Sequence, residues 1–427
     1  MRKICQTLCS AINVERNINF LIEHQCPQCG GPATLEETDR LFTCEFCQVK
    51  SYLLELDHFH YMLPHNATDN QQLFYFPYWR FKGMLFSISP TGIKERFVDV
   101  SHQAIESRHL PVSLGLRSQT LKLKFVTPES AGSFFKPVES SARILEIIND
   151  RFSRDFPKPS LHMDHIGESV GLIFAPYYLK NNKIYDAVLN RPIPLPLSED
   201  FSLKSFGGSS VGTHLKFLPT LCPECGWDLQ GQRDSLTLNC KNCESVWHPR
   251  NGQLRKTPTA HLSSQLSQIL YFPFWRIKTE VIGVKLSSYA DFIRIANLPK
   301  VVQPQWETIP FRFWGPAFKV RPQRYLKLAT GITVAQPTQN LSAGMPLNDK
   351  LVSVNLPLKE ALDTLKLNLA NLIRPRKLMA DKIKDIQINP KSFLLVYLPF
   401  EERAHEFIQS ELNLAINKNQ FNLAGNL

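Results

Sequence analysis

Phe74-Tyr-Phe-Pro-Tyr-Trp-Arg-Phe-Lys82 is matched, 196 residues further along the chain, by Leu270-Tyr-Phe-Pro-Phe-Trp-Arg-Ile-Lys278, with six of nine positions identical. The same shift carries Cys26, Cys29, Cys44 and Cys47 onto Cys222, Cys225, Cys240 and Cys243. Nothing is therefore inserted between cysteines and aromatic motif in either copy, which is the mark of an internal repeat. Beyond the motif the copies drift. A helical stretch near residues 138–149 and another near 358–373 are each followed by an apolar strand ending in proline, at Pro176 and Pro399. Those prolines are 223 apart, so the second copy has gained about 27 residues (223 less 196) between motif and strand.

This pattern predicts an internally duplicated α+β module, rich in strand. The boundaries fall at 24–206 and 214–427, with a Gly/Ser linker at 207–213 and an N-terminal helical segment at 1–23. Alternation in Leu121-Lys-Leu-Lys-Phe125 and frequent prolines favour strands. One helix per module is legible. In the second, Leu358, Leu362, Leu365, Leu369 and Leu372 recur at helical spacing between Pro357 and Pro375. A length of 427 residues, 43% apolar and 20% charged, fits two to four packed domains. No apolar run reaches the 18 or so residues of a membrane helix, and Glu15, Arg16 and Glu23 interrupt any signal-peptide core. A cytoplasmic protein is expected.

Eight of the ten cysteines fall in CxxC pairs. Cys26-Pro-Gln-Cys29-Gly and Cys222-Pro-Glu-Cys225-Gly resemble the first knuckle of a rubredoxin-like zinc ribbon, and Cys44-Glu-Phe-Cys47 and Cys240-Lys-Asn-Cys243 resemble the second. Two residues between cysteines let both sulfurs of a tight turn face one point, and two such turns close a tetrahedron around zinc. The resemblance covers residues 26–47 and 222–243, and implies two Zn(II) per chain; the same S4 site also accepts iron. Four thiolates leave no position for water or substrate, so the metal is expected to be structural. The second knuckles depart from the pattern, carrying Gln48 and Glu244 where glycine usually follows. Glu37-Thr-Asp39 and Arg233-Asp-Ser235 suit turns between the knuckles. His58, His60 and His248 are read as ordinary surface or packing residues, since none has a histidine at the matched position of the other copy. Cys5 and Cys9 are read as buried thiols.

In the aromatic motif, Tyr75, Trp79 and Arg80 with Tyr271, Trp275 and Arg276 admit two readings. One is a strand joining the cysteine-rich head to a β core; the other is an aromatic edge for a peptide or for unstacked bases. Pro77 and Pro273 predict an edge strand or a bulge.

The net charge of +11 lies wholly in the second half, because residues 1–208 hold 22 Lys/Arg and 22 Asp/Glu while residues 209–427 hold 27 and 16. No phosphate-binding loop, dinucleotide fingerprint, nucleophile elbow or HExxH is present. The leading expectation is a non-enzymatic zinc-ribbon scaffold for protein partners. The alternative is a nucleic-acid-binding protein placing Arg374, Arg376, Lys377, Lys382 and Lys384 on phosphates.

Overall fold

The computed structural model describes residues 21–54, 58–68, 70–194, 203, 215–266, 268–337, 341–346 and 350–422. The linker at 207–213, Cys5, Cys9 and residues 1–20 of the expected helical segment lie outside them; residues 21–23 open a strand, Leu21–Gln25. With 41% strand against 19% helix, the fold is strand-rich α+β.

Each half is organised by a long antiparallel ladder that contains the aromatic motif. Strand Leu73–Ser89 pairs along its length with His162–Lys180, setting Tyr75 opposite Pro176 and Trp79 opposite Leu172. Strand Ile269–Ile282 pairs with Gln387–Glu402, setting Tyr271 opposite Pro399 and Trp275 opposite Leu395. The offsets of 196 and 223 read from the sequence thus recur as cross-strand register. Each ladder shifts register once, at Gly167/Ser169 and at Lys278/Thr279. A short strand runs parallel to the far side of each, His60–Met62 beside 162–180 and Thr259–Leu262 beside 387–402.

The two motif prolines lie in interior strands, contrary to the expected edge or bulge. The strand 73–89 has two successive partners on its second side: Ser133–Phe134 pairs up to Tyr75, and Gly92–Gln103 begins opposite Tyr78. Pro77 falls in the gap, where no ladder donor is needed. Its carbonyl accepts from the Ala104 amide at 2.9 Å. Pro273 occupies the same gap, between Tyr271, which bonds the backbone of Lys350 and Val352, and Phe313–Pro316, which begins opposite Phe274; its carbonyl accepts from Ala317 at 3.0 Å.

The correspondence continues through the tryptophans. Trp79 Nε1 donates to Glu139 O at 2.8 Å and Trp275 Nε1 to Leu356 O at 3.2 Å. Those carbonyls immediately precede the caps of helices Ser141–Phe152 (cap Ser140) and Leu358–Asp363 (cap Pro357). The amides of Val138 and Glu139 both donate to Ala104 O, and those of Asn355 and Leu356 both donate to Ala317 O. In each half, a buried indole thus fixes where a helix starts.

The expected helix over 358–373 is broken at Thr364, whose hydroxyl donates back to Ala361 O at 2.8 Å and bonds the Tyr325 hydroxyl at 2.8 Å; the second part is Leu365–Leu372. The second half also holds helices Tyr289–Ala296, Pro322–Ala335 and Arg376–Lys382, beyond the single helix read from sequence. The strand expected at 121–125 is shorter, Leu123–Phe125.

The halves share a core. Phe86, Ile88 and Ile166 of the first pack into the main apolar cluster of the second, and Lys216–Pro219 pairs antiparallel with residues 51–54. Among the described residues no helix is long and apolar enough to cross a membrane.

Candidate metal centres

The four cysteines of each head converge so that their sulfurs all lie within 4.8 Å of one another. Cys26 and Cys47 sulfurs are 3.8 Å apart, Cys29 and Cys44 3.6 Å, Cys222 and Cys243 3.5 Å, and Cys225 and Cys240 3.4 Å. Zn–S bonds of about 2.3 Å in a tetrahedron require S···S edges of about 3.8 Å. These spacings fit that polyhedron and are far too long for the ~2.05 Å of a disulfide. Each quartet could hold a metal ion.

The turns that aim the sulfurs are backbone-closed. Gly30 N donates to Cys26 O at 2.9 Å and Gly226 N to Cys222 O at 2.8 Å, while Gln48 N donates to Cys44 O at 3.0 Å. The residue closing each knuckle takes a left-handed backbone: Gly30 at φ 73°, Gly226 at 71°, Gln48 at 58° and Glu244 at 53°. The geometry that makes glycine usual there is kept although two glycines are absent, at a cost of about 1 kcal/mol each. Gln48→Gly is accordingly expected to raise stability by up to about 0.5–1 kcal/mol, partly offset by the freer unfolded chain, as read from the urea midpoint.

Hydrogen bonds to the sulfurs, from backbone amides and from a side-chain amide, favour thiolate in part of each set. Cys44 is drawn down to about 7, first by the Cys47 amide, and Cys225 to about 6, first by the Asn242 side chain.

The turns at 36–39 and 232–235 are built alike. Asp39 N donates to Glu36 O while Glu36 N donates to Asp39 Oδ2 at 2.8 Å; Ser235 N donates to Gln232 O while Gln232 N donates to Ser235 Oγ at 2.7 Å. The outer faces differ by an exchange. Phe46, 64% exposed, lies over Gly31, where an added Cβ would meet its ring at 2.6 Å. At the matched positions of the second head, Gly31 becomes Trp227, 57% exposed, and Phe46 becomes Asn242. Each head carries one exposed ring on a knuckle, supplied from opposite turns.

The heads are held differently. Glu37 of the first receives Arg80 of the long strand at 2.7 Å, and Arg80 also makes a two-pronged pair with Asp99 at 2.8 and 2.9 Å, all three side chains being buried. Ser169 Oγ donates to the same Glu37 oxygen at 2.5 Å. The second head is tied to residues 353–355, with Leu236 N donating to Val354 O at 2.7 Å and Asn355 Nδ2 to Asp234 Oδ2 at 2.6 Å. The heads meet through Arg233, which pairs with Asp39 at 2.5 Å, and through an apolar cluster joining Leu41 and Tyr52 to Leu229, Leu238 and Trp247.

Tyr75, Trp79, Tyr271 and Trp275 are buried within the sheets. Arg276 is half-buried over the Trp314 ring, its charge disfavoured by burial and then by Arg312. His248 Nδ1 is 3.0 Å from Leu236 O, and the metal-competent groups among the described residues contain cysteine only. The basic run is divided: Arg374 Nη1 donates to Asn371 O and Ile373 O, Arg376 turns into a groove, and Lys377, Lys382 and Lys384 are exposed.

Helix 289–296 announces itself by its Ser288/Asp291 capping box. The Arg80 ion cluster and the contact between heads have no local signal. No family model, no curated protein and no solved structure matches the chain.

Proposed function

We propose that the two quartets are zinc ribbons with structural ions, that they head two diverged copies of one duplicated module, and that the protein is a non-enzymatic scaffold for protein partners. Zinc is supported by the all-thiolate donor set and its spacing. Duplication is supported by the shared offsets and by the matched proline, tryptophan and alanine hydrogen bonds. Eight free thiols suit a reducing, cytoplasmic setting.

The observation that carries the scaffold reading is the exchanged aromatic. A large ring stands exposed on each head, Phe46 on the first and Trp227 on the second, although different turns supply it, and Val49 at 39% and Leu221 at 52% exposure add exposed apolar surface to the same segments. Rings held in water by rigid, metal-closed turns suit a partner's pocket. Phe46→Ala with Trp227→Ala should leave metal content and unfolding free energy within about 0.5 kcal/mol of wild type. The same pair should remove proteins recovered by affinity capture with the intact chain. An unchanged set of partners would rule the surface out. Binding to nucleic acid that falls steeply with salt would favour the alternative.

A further inference from the structure

A groove of about 860 Å³ runs between the halves, bounded by residues 91–95 of the first and by helix Pro322–Ala335, Arg376 and residues 413–417 of the second. Lys94, Arg321, Arg324, Lys327 and Arg376 line it against one acid, Glu95. Among the described residues none of these five cations is in an ion pair. Lys94, Arg321, Arg324 and Lys327 are exposed. Arg376 is half-buried, and its Nη1 is shielded from solvent with no hydrogen-bond partner. Burial, and then Arg374, disfavour its charge, so an anion in the groove would satisfy an orphaned donor.

One wall is a strand edge. Strand Leu414–Asn417 pairs, among the described residues, only with Glu406–Gln409. Its side chains alternate buried and exposed, yet residues 413–417 all border the groove without interruption. A strand that presents a face contributes alternate residues; an unbroken run means that its backbone edge looks into the groove. The one ring lining it, Phe421, is packed against Phe272, Phe318 and Phe407 and offers no platform for a base.

We propose that this groove docks an extended acidic peptide segment of a protein partner, which adds as a strand to the free edge of Leu414–Asn417 and sets its carboxylates against Arg321, Arg324, Lys327 and Arg376. The proposal deepens the scaffold reading and rests on it. Edge pairing supplies sequence-independent affinity, and the basic wall selects acidic side chains on alternate positions.

The probes are fluorescent peptides of about ten residues, alternating Val-Glu or Val-Lys, and a labelled oligothymidine of similar charge, titrated at about 50 mM salt. The Val-Glu peptide should bind and the Val-Lys peptide should not. The charge reversal Arg321→Glu/Arg324→Glu/Lys327→Glu should weaken binding at least about tenfold, and bound peptide should slow amide exchange at residues 413–417. Oligothymidine binding tighter than the acidic peptide, with loss in the same variant, would overturn the proposal in favour of nucleic acid. No peptide binding, or binding without protection of 413–417, would also overturn it. Should the triple variant misfold, discrimination between peptides and exchange protection in the wild type decide the matter alone. Partner capture that persists through Phe46 and Trp227 while the groove binds nothing would leave the scaffold reading standing and remove only the groove.

Discussion

With the proposed zinc in place, Cys26→Ser and Cys222→Ser are each expected to destabilise the folded chain by at least about 4 kcal/mol, because loss of one thiolate would open the site and metal binding would be part of the folding free energy. Both residues are almost fully buried, Cys26 at 4% and Cys222 at 3% exposure, so serine hydroxyls would enter an environment arranged for thiolates. The two changes should not be equal. The first head keeps its Glu37–Arg80 tie to the long strand when the metal is lost. Cys222 and Cys240 sit inside the apolar cluster that also contains Leu41 and Tyr52 of the first head, so damage in the second head crosses to its neighbour, whereas Cys26 and Cys44 sit inside the core of the first half with Phe74, Phe76 and Ile173. Amide exchange should accordingly quicken in both heads for Cys222→Ser, and in residues 21–54 together with the strands of the first half packed on them for Cys26→Ser. Variants as stable as wild type would remove the structural role.

Arg80→Ala carries the second large effect, about 3–5 kcal/mol lost by urea unfolding. Arg80 is 2% exposed and answers two buried carboxylates, Glu37 and Asp99; alanine would remove three charge-assisted hydrogen bonds from them, while buried Lys82 stays opposite Asp99 in the strand register. The guanidinium is held well above its usual range: burial opposes its charge, and the Glu37 and Asp99 carboxylates more than compensate. Arg276 provides the internal control. It occupies the matched position but packs over Trp314 beside Arg312. Arg276→Ala is therefore expected to cost no more than about 1 kcal/mol. Equal losses at the two sites would show that the carboxylates are not the reason.

The matched motifs are legible because they are written in residues with unusual demands. Cysteines need fixed spacing to converge on one metal, and a proline inside a strand needs a gap in the ladder. The same economy explains what was missed. Pro77 signals that an amide partner is absent, which an edge satisfies as well as a gap between two successive partners; only the placement of 92–103 and 133–134 distinguishes them. The helix 358–373 pattern was sound in its apolar face, but the break comes from Thr364 reaching Tyr325, a contact 39 residues away. Helix Pro322–Ala335 contains Thr330, Gly331, Thr333 and Val334, poor helix formers individually, and owes its form to burying Leu326, Leu328, Ala329 and Ile332. Within the heads, ligands and turns were readable. The exchange of Gly31 and Phe46 for Trp227 and Asn242 became meaningful only once both positions proved adjacent in space.

Each quartet is expected to close around one ion. Metal analysis of freshly purified, reduced protein should return about two zinc ions per chain, and about one for Cys26→Ser. A wild-type value near zero would contradict it.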